Sequence, residues 1–297
     1  MVHIPSEAHA PRSYLAAVTN RHIIEEEKAP VIRLNTKSGD TDILDFTPES
    51  WIFHPDGDDV AVRPIGLNLD HHKFLSIPTK YILTPQLAED LGIGLGDDLY
   101  LAGRYINHEG RQRNIPTVRF GTIAMMNEEP IQGYQDYMQE SFLAEVRTIG
   151  GYSGSPVHVI LPRERWDEHP DYKHLSEPGH LQWLLGIEWC NVPLTPQPIL
   201  RRSKGKLHPH PKYFARENTG MSGVIPAWKI LDILNLPRLR AMRQKRDEEL
   251  TAKKAESPVR LTGAGSAQKR KNRDIDIPPI GRKRFFDALE KATKREK

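Results

Sequence analysis

Apolar positions along this chain fall in short bursts, separated by turn formers, rather than in long helical stripes. At 14–24, Tyr-Leu-Ala-Ala-Val-Thr-Asn-Arg-His-Ile-Ile reads as an apolar strand running into a turn at Thr19-Asn20. Further strand-like pieces follow at 31–34, 51–54, 60–64, 99–105, 118–124, 145–148, 157–161, 184–190 and 220–225. Between them lie Ser38-Gly39-Asp40, Pro55-Asp56-Gly57-Asp58, Gly94-Leu95-Gly96-Asp97-Asp98 and Asn107-His108-Glu109-Gly110. Many short strands at this spacing predict an antiparallel sandwich or barrel rather than βαβ units. One short helix is predicted at 84–91, capped by Thr84 with Pro85 in its first turn. A second, amphipathic, is predicted at 227–236 and stopped by Pro237. The segment before residue 14, with His3, Pro5 and Pro11, does not read as strand.

Composition narrows the picture. At 297 residues the chain can hold one large or two small units with a real core. The 24 prolines and 21 glycines suit a loop-rich β protein. Cys190 is the single cysteine, so no intrachain disulfide forms, which argues against a stapled secreted protein. The first ten residues carry charge and proline without a leader-like apolar run, and no stretch approaches the ~20 apolar residues of a membrane span. A cytoplasmic location is the expectation. Charge is uneven: residues 238–297 hold 19 Lys/Arg against 9 Asp/Glu, a basic tail on an acidic body. Within that tail 256–277 has a disorder composition, and 282–294 spaces Phe285, Phe286, Leu289 and Ala292 for an amphipathic helix formed on binding. Its clusters Lys269-Arg270-Lys271-Asn272-Arg273 and Arg282-Lys283-Arg284 suit a protein partner or anionic surface; nucleic acid is the less favoured partner.

The candidate chemistry centres on Gly150-Gly151-Tyr152-Ser153-Gly154-Ser155-Pro156. A serine hydroxyl becomes nucleophilic when a base takes its proton and backbone N–H groups receive the oxyanion. Flanking glycines let the main chain aim such groups at one point. Taken alone, such a stretch is more often a plain glycine-rich turn. The nucleophile elbow Gly-x-Ser-x-Gly is excluded because position 155 is serine. His71-His72 and His208-Pro209-His210 have no acid or cysteine at ligand spacing, so no metal is expected.

Three segments in order, Val18-Thr19-Asn20-Arg21-His22, Asp58-Asp59-Val60-Ala61-Val62 and Gly151-Tyr152-Ser153-Gly154-Ser155-Pro156, resemble the active-site motifs of trypsin-like serine proteases of bacterial type. Residues 96–103, 118–124, 185–189 and 223–226 resemble strands of the family's second barrel and pocket. The resemblance implies an all-β fold of two antiparallel β-barrels of the chymotrypsin type, at about 14–80 and 95–236 of a domain 1–237, followed by the tail 238–297. Family members usually carry a strand pair before the histidine segment, and about 20 residues precede His22 here, so the first barrel is expected to be open, completed by other means, or begun upstream of this sequence. The implied roles are nucleophile for Ser153, general base for His22 and orienting acid for Asp59, with the N–H groups of Gly151 and Ser153 as oxyanion hole. The pocket would involve Arg147, Thr148, Trp189, Cys190 and Gly223, with Arg147 favouring an acidic substrate side chain. The implied activity is peptide-bond hydrolysis on a polypeptide substrate without a cofactor. The alternative is a protease-fold binding or scaffold protein acting through its barrels or tail.

Overall fold

The computed structural model describes residues 1–6, 8–10, 12–25, 30–104, 113–132, 138–146, 151–168, 181–193, 197–203, 206–215 and 218–256. The N-terminal unit comprises β1 (Val2–Pro5), β2 (Ser13–Thr19), α1 (Arg21–Glu25), β3 (Ile32–Thr36), β4 (Thr41–Leu44), β5 (Ile52–Phe53), β6 (Ala61–Ile65), β7 (His72–Lys73) and β8 (Ile77–Pro78). These strands form two sheets, ordered β5-β6-β2-β1-β8 and β4-β3-β7. Among the described residues, then, the unit is an open pair of sheets rather than one closed ring.

One strand departs from the sequence reading. Val2–Pro5 pairs antiparallel with β2, setting Val2 opposite Ala16, and runs parallel to β8. The piece is too short for periodicity to reveal it, and Pro5 argues for a loop. Burial of Val2 at 2% exposure, with Ile4 packed alongside, holds it in place.

A linker leads to α2 (Pro85–Asp90), where the Thr84 hydroxyl accepts the Leu87 N–H at 3.2 Å, the expected N-cap. The second unit follows with β9 (Asp98–Arg104), β10 (Pro116–Met125), β11 (Ile131–Gln132), β12 (Met138–Gln139), β13 (Phe142–Glu145), β14 (Pro156–Ile160), α3 (Arg163–Asp167), β15 (Gln182–Pro193), β16 (Gln197–Ser203), β17 (Lys206–Ala215) and β18 (Asn218–Pro226). Six of these close a barrel in the order β10-β13-β18-β15-β14-β9. Alternation drives closure: Leu99 and Leu101 of β9 and Val157 and Val159 of β14 point inward, all fully buried. They join Leu83, Phe142, Tyr152 and Trp183 in one core. A second core lies between the units, where Val60, Val62 and Ile82 meet Leu184, Ile187, Trp189 and Ile225.

Two helices close the described chain. Helix α4 (Trp228–Leu234) is the predicted amphipathic one, burying Ile230, Ile233 and Leu234. Helix α4 stops at Leu234, short of Pro237 as expected, but Pro237 also starts α5 (Pro237–Glu256). Proline lacks only an N–H that the first helical turn leaves unpaired anyway, so it serves as a start as well as a stop. The stretch read as the beginning of a solvated tail is anchored. Leu239 is buried, and Asp247 accepts hydrogen bonds from Ser6 Oγ at 2.8 Å and Tyr14 Oη at 2.5 Å. The remaining tail, including 282–294, lies outside the described residues. No described helix is long and apolar enough to cross a membrane.

Candidate active site

The acid and the imidazole sit on adjoining elements of the first unit. β2 delivers the chain into α1, so His22 occupies the first turn of that helix, over a small core of Ala17, Ile24, Trp51 and Ala61. Asp59 stands just before β6, which pairs with β2 in register Val18–Val62 and Thr19–Ala61. The carboxylate grips the histidine twice. Asp59 Oδ2 lies 2.6 Å from His22 Nδ1, and Oδ1 accepts the His22 backbone N–H at 2.8 Å. With its hydrogen held on Nδ1, a neutral His22 keeps its lone pair on Nε2, the tautomer a general base requires.

The peptide of Asp59 is fixed as firmly as its side chain. Its carbonyl accepts the buried Asn20 Nδ2–H at 3.0 Å. Its N–H donates to Gln139 Oε1 at 2.9 Å, across the gap from the second unit. Gln139, itself fully buried, donates from Nε2 to Asp58 Oδ1 at 2.7 Å. Lys229 of α4 bridges Asp58 at 3.0 Å and Glu140 at 2.8 Å. Asp58, which reads in sequence as one acid of a solvated turn, is thus a buried member of an ionic cluster. His54 Nδ1 lies 3.0 Å from the same carboxylate, but out of hydrogen-bonding line.

The serine turn belongs to the second unit and precedes β14. Tyr152 anchors it: the ring is fully buried, and its hydroxyl accepts Arg119 Nε–H at 2.9 Å and meets Thr117 Oγ1 at 3.0 Å. Gly151 at φ +95° and Gly154 at φ +81° take the left-handed conformations the turn demands. Strand β15 clamps it, with Gly154 N–H donating to Glu188 O at 2.8 Å and Glu188 N–H to Ser155 O at 2.9 Å. The Ser153 hydroxyl donates to the Trp189 carbonyl oxygen at 3.4 Å. The turn abuts the end of β2 so closely that a Cβ on Gly154 would lie 2.5 Å from Thr19 Oγ1. That contact brings the Ser153 turn to the strand that ends three residues before His22.

Of the expected pocket residues, Trp189, Cys190 and Gly223 come together. Cys190 faces Gly223 across the β15–β18 ladder, and a Cβ at 223 would meet Cys190 Sγ at 2.8 Å and run into the Trp189 indole. The indole Nε1–H donates to Ser141 Oγ at 3.0 Å. Burial first, then the charges of Glu188 and Asp59, push the Cys190 thiol up to about 12, so it remains a thiol. Arg147 and Thr148 lie outside the described residues. Sequence reasoning missed Asn20, Gln139 and Glu188. The last had a signal, a lone carboxyl inside the apolar run Leu184-Leu185-Gly186-Ile187-Glu188-Trp189. It is 1% exposed, and burial raises its carboxyl to about 8, against a downward pull from His22.

A second cluster was invisible in sequence spacing. Asp42 joins His71 and His72, their ligand atoms within 4.8 Å of one another. The His72 ring, however, accepts the Asn68 N–H on Nδ1 at 3.2 Å, which puts its hydrogen on Nε2, aimed at Asp42 Oδ2 at 3.0 Å. That tautomer offers no lone pair to a cation. The pair is a hydrogen bond tying β7 to β4, and it holds the Asp42 carboxyl below its ordinary range.

No family model and no curated protein matches this sequence. Solved structures are similar to this chain, two of them as follows. The MamO protease domain from Magnetospirillum magneticum in its apo form is 14% identical with a TM-score of 0.40, covering 76% of this chain and 88% of that one. Deg5 is 12% identical with a TM-score of 0.36, covering 60% of this chain and 73% of that one.

Proposed function

We propose that the chain is a trypsin-like serine endopeptidase. The observation that carries this reading is the double grip of Asp59 on His22, which leaves Nε2 as the basic nitrogen, while the clamped, glycine-flanked serine turn packs on the strand that leads to His22. Ser153 Oγ attacks the scissile carbonyl while His22 Nε2 takes its proton and later returns it to the leaving amine. Asp59 keeps the tautomer and stabilises the imidazolium. The N–H groups of Gly151 and Ser153 receive the oxyanion, each such donor contributing roughly 3 kcal/mol to barrier lowering. For attack, the Ser153 hydroxyl, which donates to the Trp189 carbonyl in this structure, has to give its proton to His22 instead.

That resting bond favours a second reading, a protease-fold binding protein whose serine stays turned away. One experiment separates the two. A fluorophosphonate probe on the folded protein is expected to label Ser153 covalently, with labelling abolished in Ser153→Ala. Folded protein that takes no label rejects the protease reading and leaves the binding module.

A further inference from the structure

The catalytic constellation uses one carboxyl, yet a second is buried beside it. Glu188 sits mid-strand in β15, opposite Val224, where a half-buried ladder would carry an apolar residue. Its own peptide forms the clamp on the serine turn, bonded to Gly154 and Ser155. Its side chain is 1% exposed, and its Oε2 is buried with no hydrogen-bond partner among the described residues. A carboxylate so placed cannot hold its charge unless a cation faces it. The groups that act on this corner are His22 from α1, Asp59 from the turn before β6, and the Cys190 thiol two positions along β15. Cys190 remains neutral and Asp59 is already committed to the histidine. Of these groups, His22 is the one that can carry a positive charge toward Glu188.

We propose that Glu188 is a positioning residue of the active site, a second carboxyl that acts through His22 by titrating jointly with its imidazole. Below the joint transition Glu188 is a neutral acid and Asp59 alone orients the ring. Above it, the ionised Glu188 adds negative charge beside His22 and favours its protonated form. Two groups that interact by more than about one pK unit lose their protons in steps that belong to the pair. The buried carboxyl, raised to about 8, puts the upper step within reach of an ordinary titration.

The inference rests on the protease reading for its meaning, but its test does not require turnover. The His22 ring resonances are followed by NMR from pH 5 to 10 in Ser153→Ala protein, with and without Glu188→Gln. Glutamine is the neutral isostere of the protonated acid, so the buried site is preserved. The expected result is two inflections while Glu188 is present, a single inflection in Glu188→Gln, and return of the upper inflection in Glu188→Asp. An unchanged His22 curve in Glu188→Gln overturns the proposal, because a residue that merely fills space would leave the titration alone. Two inflections in a protein that takes no fluorophosphonate would sink the protease reading and leave the coupling standing. Labelling together with an unchanged curve would do the reverse.

Discussion

Gly154 satisfies two demands that no other residue can meet together. Its backbone lies at φ +81°, where an L side chain is strained, and a Cβ there would press on Thr19 Oγ1 and lie 3.3 Å from Thr19 Cα. The second obstacle is backbone, so it cannot swing aside. Gly154→Ala is therefore expected to displace the serine turn from β2, and with it Ser153 from His22, at a cost of about 1–3 kcal/mol. The fluorophosphonate labelling rate should fall by at least about tenfold, with the circular dichroism of the barrel unchanged. Labelling at the parent rate would mean that the contact with Thr19 does not set the geometry of the nucleophile.

At the scale of elements, α5 decides how far the packed body extends. Leu239 is its apolar anchor, buried in one cluster with Ile233, Leu234 and the inter-unit core, whereas the Tyr14–Asp247 bond is only part-buried. Removing the buried side chain leaves a cavity; removing the hydroxyl exchanges one hydrogen bond for water. Leu239→Ala should therefore destabilise by about 2–4 kcal/mol and Tyr14→Phe by about 1 kcal/mol or less. Denaturant midpoints of the two variants check the order, and equal losses would show that polar contacts hold the helix. This helix also marks where sequence reading stops. The strands of the closed barrel were legible because Leu99, Leu101, Val157 and Val159 alternate, and the Thr84 cap because its chemistry is local. Strand β1 and helix α5 were not, since a four-residue strand has no period to detect and α5 is a polar helix held by Leu239 and by partners more than two hundred residues away. The site divides along the same line. His22, Asp59 and Ser153 fall in local motifs, while Gln139 reaches Asp59 only because β12 is folded against it from the other unit.

At the scale of the whole molecule, the two units meet around β15, and a buried ionisable group there makes stability depend on pH. Glu188 has an ordinary value of 4.5 and is raised by burial to about 8 in the folded chain. Between those values the folded state keeps a proton that the unfolded state has lost, so stability falls as pH rises through this window. The loss approaches about 1.4 kcal/mol per pH unit and sums to a few kcal/mol. His3, lowered by burial, acts in the opposite sense below its ordinary value of 6.5. Asp42 and Asp247 are lowered carboxyls whose contributions are lost only in acid, below their ordinary value of 3.8. A single pH profile therefore mixes opposing slopes, whereas the difference between parent and Glu188→Gln isolates one group. Urea midpoints at pH 5 and pH 8 are expected to show the variant gaining on the parent by a few kcal/mol across the interval. A difference that stays constant between the two pH values would mean that Glu188 is already ionised in the folded protein, paired within the junction rather than held there as a neutral acid.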